Sequence, residues 1–156
     1  MPKESAGLML FRFRDGDLEV FLVHPGGPFW SKKDDGSWSI PKGEYAPPEK
    51  PLDAAKREFQ EETGMNVDGD FMALESAKQP SGKIVHAWAL EGECDPFAIK
   101  SNTFKIEWPP GSGKLSEFPE IDRAAWFPVK RARIKIQKGQ IALLGQLQIK
   151  LGRKIK

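Results

Sequence analysis

The sequence predicts a mixed α/β domain in which helices pack on a mainly mixed sheet, and three observations carry that expectation. Short apolar runs bounded by turn residues recur along the chain and outnumber helical patterns. One amphipathic stretch, residues 51–63, follows the first group of strands, and a second with steps of three and four closes the chain. A length of 156 residues suits one domain with its own core, so a single domain over 1–156 is expected. A hydrophobic content of 39% beside 29% charged residues of both signs excludes a disordered chain. The N-terminal apolar run is interrupted at Arg12 and followed by Asp15-Gly16-Asp17, which is neither a membrane span nor a signal peptide. Cys94 is the sole cysteine, so no intrachain disulfide can form, and a cytoplasmic location is expected with Cys94 as a buried, idle thiol.

Taken in order, residues 6–13 and 18–23 read as two antiparallel strands, because Asp15-Gly16-Asp17 between them is a strong hairpin signal. Residues 24–36 then carry Gly and Pro early and charge late, which marks a long loop. Residues 37–40 form a short strand with Trp38 and Ile40 on one face, closed by Pro41. Pro51 suits the first turn of a helix and Gly64 the left-handed position past its end, so a helix is expected over Pro51–Thr63, poorly capped by Lys50. Residues 71–78 and 83–90 are two further strands with Pro80-Ser81-Gly82 as their turn. In the second, Ile84, His86 and Trp88 share one face and Val85, Ala87 and Ala89 the other. A strand at 103–108, a loop over 111–124 and a short strand at 124–127 ended by Pro128 follow. Ile141, Leu144, Leu147 and Leu151 mark the C-terminal helix. From Val129 onward there are nine Lys or Arg residues and no acid, although the net charge is only +2. A solvated helix face is the favoured reading of that excess, ahead of a polyanion-binding surface.

The helix at 51–63 carries the chemistry. At about 100° per residue, Leu52, Ala55, Phe59 and Thr63 fall in one stripe expected to be buried. Glu58, Glu61 and Glu62 fall together on a neighbouring face, and Lys56 and Gln60 face solvent. Like charges at such spacing repel by roughly a few tenths of a kcal/mol per pair. A helix needing only solubility would alternate Glu with Lys, whereas three clustered carboxylates call for a cation. Hard oxygen donors suit Mg²⁺ or Mn²⁺, which leave part of their shell to water and phosphates. Arg57 lies one turn before Glu61 and has the donors to hold carboxylates in place.

The pattern Gly43, five residues, Glu49, seven residues, Arg57-Glu58-Phe59, one residue, Glu61-Glu62, one residue, Gly64-Met65 resembles at every position the Nudix box of the Nudix hydrolases. The resemblance implies an α/β/α sandwich with a mixed β-sheet, the box helix and a C-terminal helix. It also implies hydrolysis of a nucleoside diphosphate linked to another group, with a divalent cation, Mg²⁺ or Mn²⁺, on Glu58, Glu61 and Glu62. Glu58 or Glu61 would then take a proton from the attacking water, Glu49 and Arg57 would pair to orient the helix, and the Lys42 carbonyl would lie near the metal. Family members often add an acid from the loop before the late strand, and Glu120 is preferred to Glu117 for that place.

Upstream, Trp38-Ser39-Ile40-Pro41-Lys42-Gly43 resembles the signature of members acting on dinucleoside polyphosphates, diphosphoinositol polyphosphates or nucleoside triphosphates, so Trp38 and Lys42 are expected at the substrate. Lys32 and Lys33 suit phosphates, and Phe29 and Trp30 suit a base or a small core of the loop itself. The only tyrosine, Tyr45, lies inside the box, so stacking elsewhere falls to Trp126, Trp88 or Phe104. Pro80 stands where ADP-ribose pyrophosphatases carry a proline, although a turn explains it equally. His24 and His86 are read as structural. The expected function is therefore metal-dependent cleavage of a nucleoside triphosphate or dinucleoside polyphosphate. An ADP-ribose or nucleotide-sugar pyrophosphatase is the alternative, and a non-catalytic nucleotide or RNA-binding module the reading of another class. A nucleotide or other diphosphate is the expected partner, with no membrane and with nucleic acid not favoured.

Overall fold

The apolar run at 6–11 becomes the middle of a strand covered on both faces, and the rest of the sheet is arranged around it. The computed structural model describes residues 4–78 and 82–152. In chain order the elements are β1 (Glu4–Arg14), β2 (Asp17–Pro25), β3 (Lys42–Glu44), α1 (Pro51–Thr63), β4 (Met72–Ala73), β5 (Ala77–Lys78), β6 (Ile84–Glu91), β7 (Thr103–Glu107), β8 (Leu115–Pro119), β9 (Ile121–Pro128), α2 (Val129–Lys135) and α3 (Ile141–Lys150). The main sheet runs β4-β6-β1-β2-β9, with β3 on β1 and β5 on β6. β1 and β6 are parallel and the other pairs antiparallel, so the sheet is mixed as expected. Asp15 and Gly16 make the β1–β2 turn with φ of 50° and 84°, the double positive that a two-residue hairpin requires.

One irregularity of this sheet positions the site. β2 pairs with β1 only from Phe11 to Arg14, while β3 pairs with β1 over Ser5–Gly7. The two long strands therefore splay, and residues 38–44 enter between them. Ser39 bridges Val23 of β2, and the Pro41 carbonyl accepts from the Leu8 N–H at 3.1 Å. Gly7 is obligatory at this crossing, since a Cβ there would sit 2.6 Å from the Pro41 oxygen.

Alternation along β1 feeds two cores. Ala6, Leu8 and Leu10 meet Phe21, Val23, Ala54, Ala55 and Phe59 beneath α1. Met9 and Phe11 meet Leu22, Val85, Ala87, Ala132, Ile136 and Leu143 on the α2–α3 side. The sheet is thus covered by helices on both faces. α1 begins at Pro51 without a side-chain cap and ends at Gly64 with φ of 78°. Its buried stripe differs from the one expected: Ala54 and Glu58 are buried with Ala55, Phe59 and Thr63, while Leu52 is only partly so. The helix is rolled so that Glu58 faces β3 rather than solvent.

Four other expectations need correction. The strand at 37–40 is reduced to the Val23–Ser39 and Trp38–Ile136 bridges. The stretch 71–78 is divided into β4 and β5, with the Leu74 N–H between them on the Ala87 carbonyl at 2.9 Å. The loop at 111–124 contains β8, which pairs with β7 as a separate two-stranded sheet, and β9 starts at Ile121. α2 went unrecognised within the basic stretch, although Val129, Ala132 and Ile136 give it an apolar face at steps of three and four. Pro80 and Ser81 of the expected turn lie outside the described residues.

Candidate active site

The roll of α1 presses Glu58 against the backbone of β3. A Cβ on Gly43 would lie 2.0 Å from Glu58 Cδ, so glycine is what admits the carboxylate. One turn further on, Glu62 accepts from the Lys42 N–H at 3.3 Å. Arg57 organises the rest. Its Nε and Nη2 grip Glu49 through both carboxylate oxygens at 2.8 and 3.0 Å, while Nη1 reaches Glu58 at 2.7 Å and Glu61 at 2.8 Å. One guanidinium thereby fixes three carboxylates and ties the loop before α1 to the helix.

Charge in the site is poorly solvated and closely coupled. Hydrogen bonds from Arg57 hold Glu49 below the usual carboxylate range, and Glu49 and Glu61 in turn raise the Arg57 guanidinium. Glu58 moves upward although Arg57 pulls it down, because burial outweighs the ion pair, with Glu61 and Glu120 adding to the rise. Burial raises Glu62 to about 8, opposed by Lys42 and reinforced by Glu58 and Glu120. Glu120 is raised by burial and by Glu61. Lys42 is lowered by burial and then by Lys83, against the pull of Glu62, Glu44 and Glu58. Glu58, Glu61, Glu62 and Glu120 thus lie within one another's electrostatic reach.

Backbone hydrogen bonds bring Glu120 there from across the fold. Its N–H donates to the Asn102 carbonyl at 2.8 Å, and the Asn102 N–H donates to the Glu61 carbonyl at 2.9 Å. Glu117 points elsewhere, accepting from the Thr103 hydroxyl across the β7–β8 hairpin. The donor set suits a hard divalent cation: four carboxylates drawn together, three of which, Glu58, Glu62 and Glu120, are held above the usual carboxylate range by burial and by neighbouring carboxylates. Among the described residues no three His, Cys, Asp or Glu side chains are already gathered as a cage. Glu58 and Glu61 each have an oxygen on Arg57, and Glu62 has one on the Lys42 N–H.

One expected substrate contact is corrected. Trp38 is 5% exposed in the core on the α2–α3 side, its Nε1 donates to Asp34 at 2.8 Å, and its ring packs on Phe127 and His24, so the indole has no free face for a substrate. Trp126 is partly buried beside Phe21, with Arg12 4.2 Å above its ring and its Nε1 donating to the Cys94 carbonyl at 3.0 Å. Lys32 is exposed in the loop 26–37. His24 is fully buried between Asp122 and the Lys33 carbonyl, and His86 bonds Glu4 beside Tyr45. Trp88 is partly buried against the core under α1, and burial pushes the Cys94 thiol up to about 12. Sequence reasoning missed Lys83, which pairs with Glu44 at 3.0 Å beside Lys42, and Asn102. No local signal marks either one, since both reach the site through pairing partners distant in sequence.

The NUDIX domain profile matches residues 1–146. The NUDIX domain of Shewanella oneidensis NrtR complexed with ADP ribose is similar in structure, with a TM-score of 0.67 at 16% identity over 97% of this chain and 89% of that one. A C. elegans Ap4A hydrolase binary complex gives a TM-score of 0.67 at 21% identity, covering 96% and 98% of the two chains. The solution structure of the E. coli ORF135 protein gives 0.55 at 22% identity, covering 99% and 96%. At such identities these likenesses speak for the α/β fold, whereas the profile spans nearly the whole sequence. With its complete box folded around Arg57, this chain belongs to the Nudix family and is a hydrolase of phosphoanhydride bonds.

Proposed function

We propose that this single-domain protein is a Mg²⁺- or Mn²⁺-dependent pyrophosphohydrolase acting on a nucleoside triphosphate or a dinucleoside polyphosphate. The observation that carries the reading is the Arg57 clamp, which sets Glu58 and Glu61 beside Glu62, Glu120 and Lys42. Glu58, Glu61, Glu62 and Glu120 would hold the cation. The chemistry supplied by such a bound ion is neutralisation of the diphosphate and acidification of a bound water. Lys42 is partly buried among the carboxylates and would meet the phosphate chain, where its charge is poorly solvated and correspondingly effective. Glu58 or Glu61 would take the proton from water, and the upward shift of Glu58 through burial suits it to that task. Glu49 positions Arg57 and so acts through it.

Of the similar structures, one is an Ap4A hydrolase and another holds bound ADP ribose, and the second of these supports an ADP-ribose pyrophosphatase as the second reading. A purely binding role is disfavoured, because four neighbouring carboxylates, three of them raised by burial, repel one another to no purpose without a cation. A lone Cys94 supports a reducing, cytoplasmic setting, and no described helix is long and apolar enough to cross a membrane. The test is initial-rate measurement with Mg²⁺ on ATP, diadenosine tetraphosphate and ADP-ribose, beside Glu61→Gln. Turnover is expected on one of the first two, with a loss on the order of 100-fold or more in the variant. Absence of metal-dependent turnover on all three, or full activity of Glu61→Gln, would refute it.

A further inference from the structure

We propose that the loop 26–37 and the β7–β8 hairpin form a nucleobase-binding platform beside the carboxylates, with Phe29 and Trp30 as its stacking faces. The inference deepens the reading above, since it assigns the base-bearing end of the substrate whose phosphates meet Lys42.

The hairpin pairs only with itself among the described strands, and its alternation leaves Phe104, Ile106 and Phe118 on one partly buried face. The loop lies directly on that face. A Cβ on Gly27 would be 2.8 Å from Phe104 Cζ, and Phe29 packs edge-on against Trp108 with centroids 5.4 Å apart. Had the loop served only to cover the hairpin, its aromatics would be buried. Instead Phe29 is 59% and Trp30 37% exposed, at consecutive positions of the loop.

The second half of the loop is anchored. The Lys33 carbonyl meets buried His24 at 2.6 Å, Asp34 takes the Trp38 indole N–H at 2.8 Å and Lys135 at 2.7 Å, and the Gly36 N–H donates to the Ile134 carbonyl at 3.0 Å. Anchoring the backbone lowers the ordering entropy that exposed aromatics on the loop lose when a ligand arrives. Positive charge accompanies them: the Lys33 ammonium lies 5.0 Å above the Trp30 ring, and the adjoining Lys32 is exposed. Flat apolar faces interleaved with ammonium groups suit a planar base on a phosphate chain better than an apolar peptide.

Connection to the site is direct. The Gly26 N–H donates to the Glu120 carbonyl at 2.8 Å, and Glu120 in turn binds Asn102, which binds Glu61. Phe29 is three residues from Gly26, so its Cα lies within about 11 Å of that contact.

The test is calorimetric titration of ATP and of inorganic tripolyphosphate, each as its Mg²⁺ complex, into Glu61→Gln protein, alone and with Phe29→Ala, Trp30→Ala or both. Each aromatic truncation is expected to weaken ATP by about fivefold or more, raising the ratio of its Kd to that of tripolyphosphate, with Phe29→Tyr and Trp30→Phe restoring it. Equal weakening of both ligands would show that the aromatics only support the loop, and unchanged ATP affinity in the double variant would remove their role altogether. Either result overturns the proposal. Should Phe29→Ala lower the melting temperature through its contact with Trp108, Trp30→Ala alone carries the test. Because binding is read without turnover, an inactive enzyme that still discriminates ATP from tripolyphosphate sinks the hydrolase reading alone. An active one that does not discriminate sinks the platform alone.

Discussion

Replacing Gly43 by alanine separates the stability of the fold from the working geometry of the box. The new Cβ would lie 2.0 Å from Glu58 Cδ and 2.1 and 2.4 Å from its oxygens, distances that real structures do not tolerate. Only the flexible end of Glu58 is in the way, so the carboxylate swings aside and its 2.7 Å bond to Arg57 is lost. Arg57 retains both bonds to Glu49 and its bond to Glu61. A hydrogen bond to a charged group contributes about 1.5–3 kcal/mol. Rehydration of a carboxylate that burial had disfavoured offsets part of this, leaving a net loss of about 1–2 kcal/mol. In a chain of this size that lowers Tm by roughly 2–8 °C. Activity falls much further, because displacing a catalytic group by about 1 Å costs on the order of 100-fold. Thermal denaturation followed by circular dichroism, beside initial rates on diadenosine tetraphosphate with Mg²⁺, measures both quantities. Gly43→Ala is further expected to cost almost no stability in a Glu58→Ala background, where nothing remains to clash. A full stability cost in that background would place the need for glycine in the backbone and refute the argument, as would parental activity in Gly43→Ala alone.

Arg57→Lys keeps the charge but loses the fork, and is expected to cost about 1–2 kcal/mol in urea denaturation and to reduce kcat with little change in KM. Asp34→Asn tests a pH-linked contact. Lys135, and then the Trp38 N–H, hold the Asp34 carboxyl below its ordinary 3.8, so its contribution is present above that pH and fades as pH falls through the lower folded value. The variant should lose about 0.5–1 kcal/mol at pH 7, Asp34 being well exposed, and converge with the parent below that window. Trp38→Phe should cost about 1–2 kcal/mol through the lost Asp34 bond and lost volume while leaving KM for every phosphate substrate unchanged. A raised KM would return Trp38 to the substrate site. Glu120→Gln should weaken Mg²⁺ activation of turnover, whereas Glu117→Gln should leave it unchanged, as the Glu117 contact with Thr103 implies.

What could be read from the sequence follows the range over which each interaction acts. The Asp15-Gly16 turn and the α1 ends at Pro51 and Gly64 are decided within a few residues, so backbone preference alone places them. The Glu49–Arg57 pair is nearly as local, with seven residues between partners and a helix fixing one of them. Trp38 belongs to the opposite class. Its motif neighbours Pro41 and Lys42 do line the box, but its side chain is claimed by Asp34, which is anchored in turn to Lys135 of α2, 101 residues on. No periodicity near position 38 encodes that helix, because α2 is seven residues long and hides its three apolar contacts among lysines and arginines. Residues two apart in an extended segment share a side, so an unbroken strand would carry Lys42 to the side of Trp38 and Ile40. Pro41 lies where the chain crosses β1, and past that crossing Lys42 is released to the carboxylates instead. The Trp-to-Lys signature is therefore one segment with two ends: an aromatic ring at position 38 buried in one core, a place phenylalanine can also fill, and Lys42 with Gly43 set against α1 by the backbone contacts of Ser39 and Pro41 with the splayed strands.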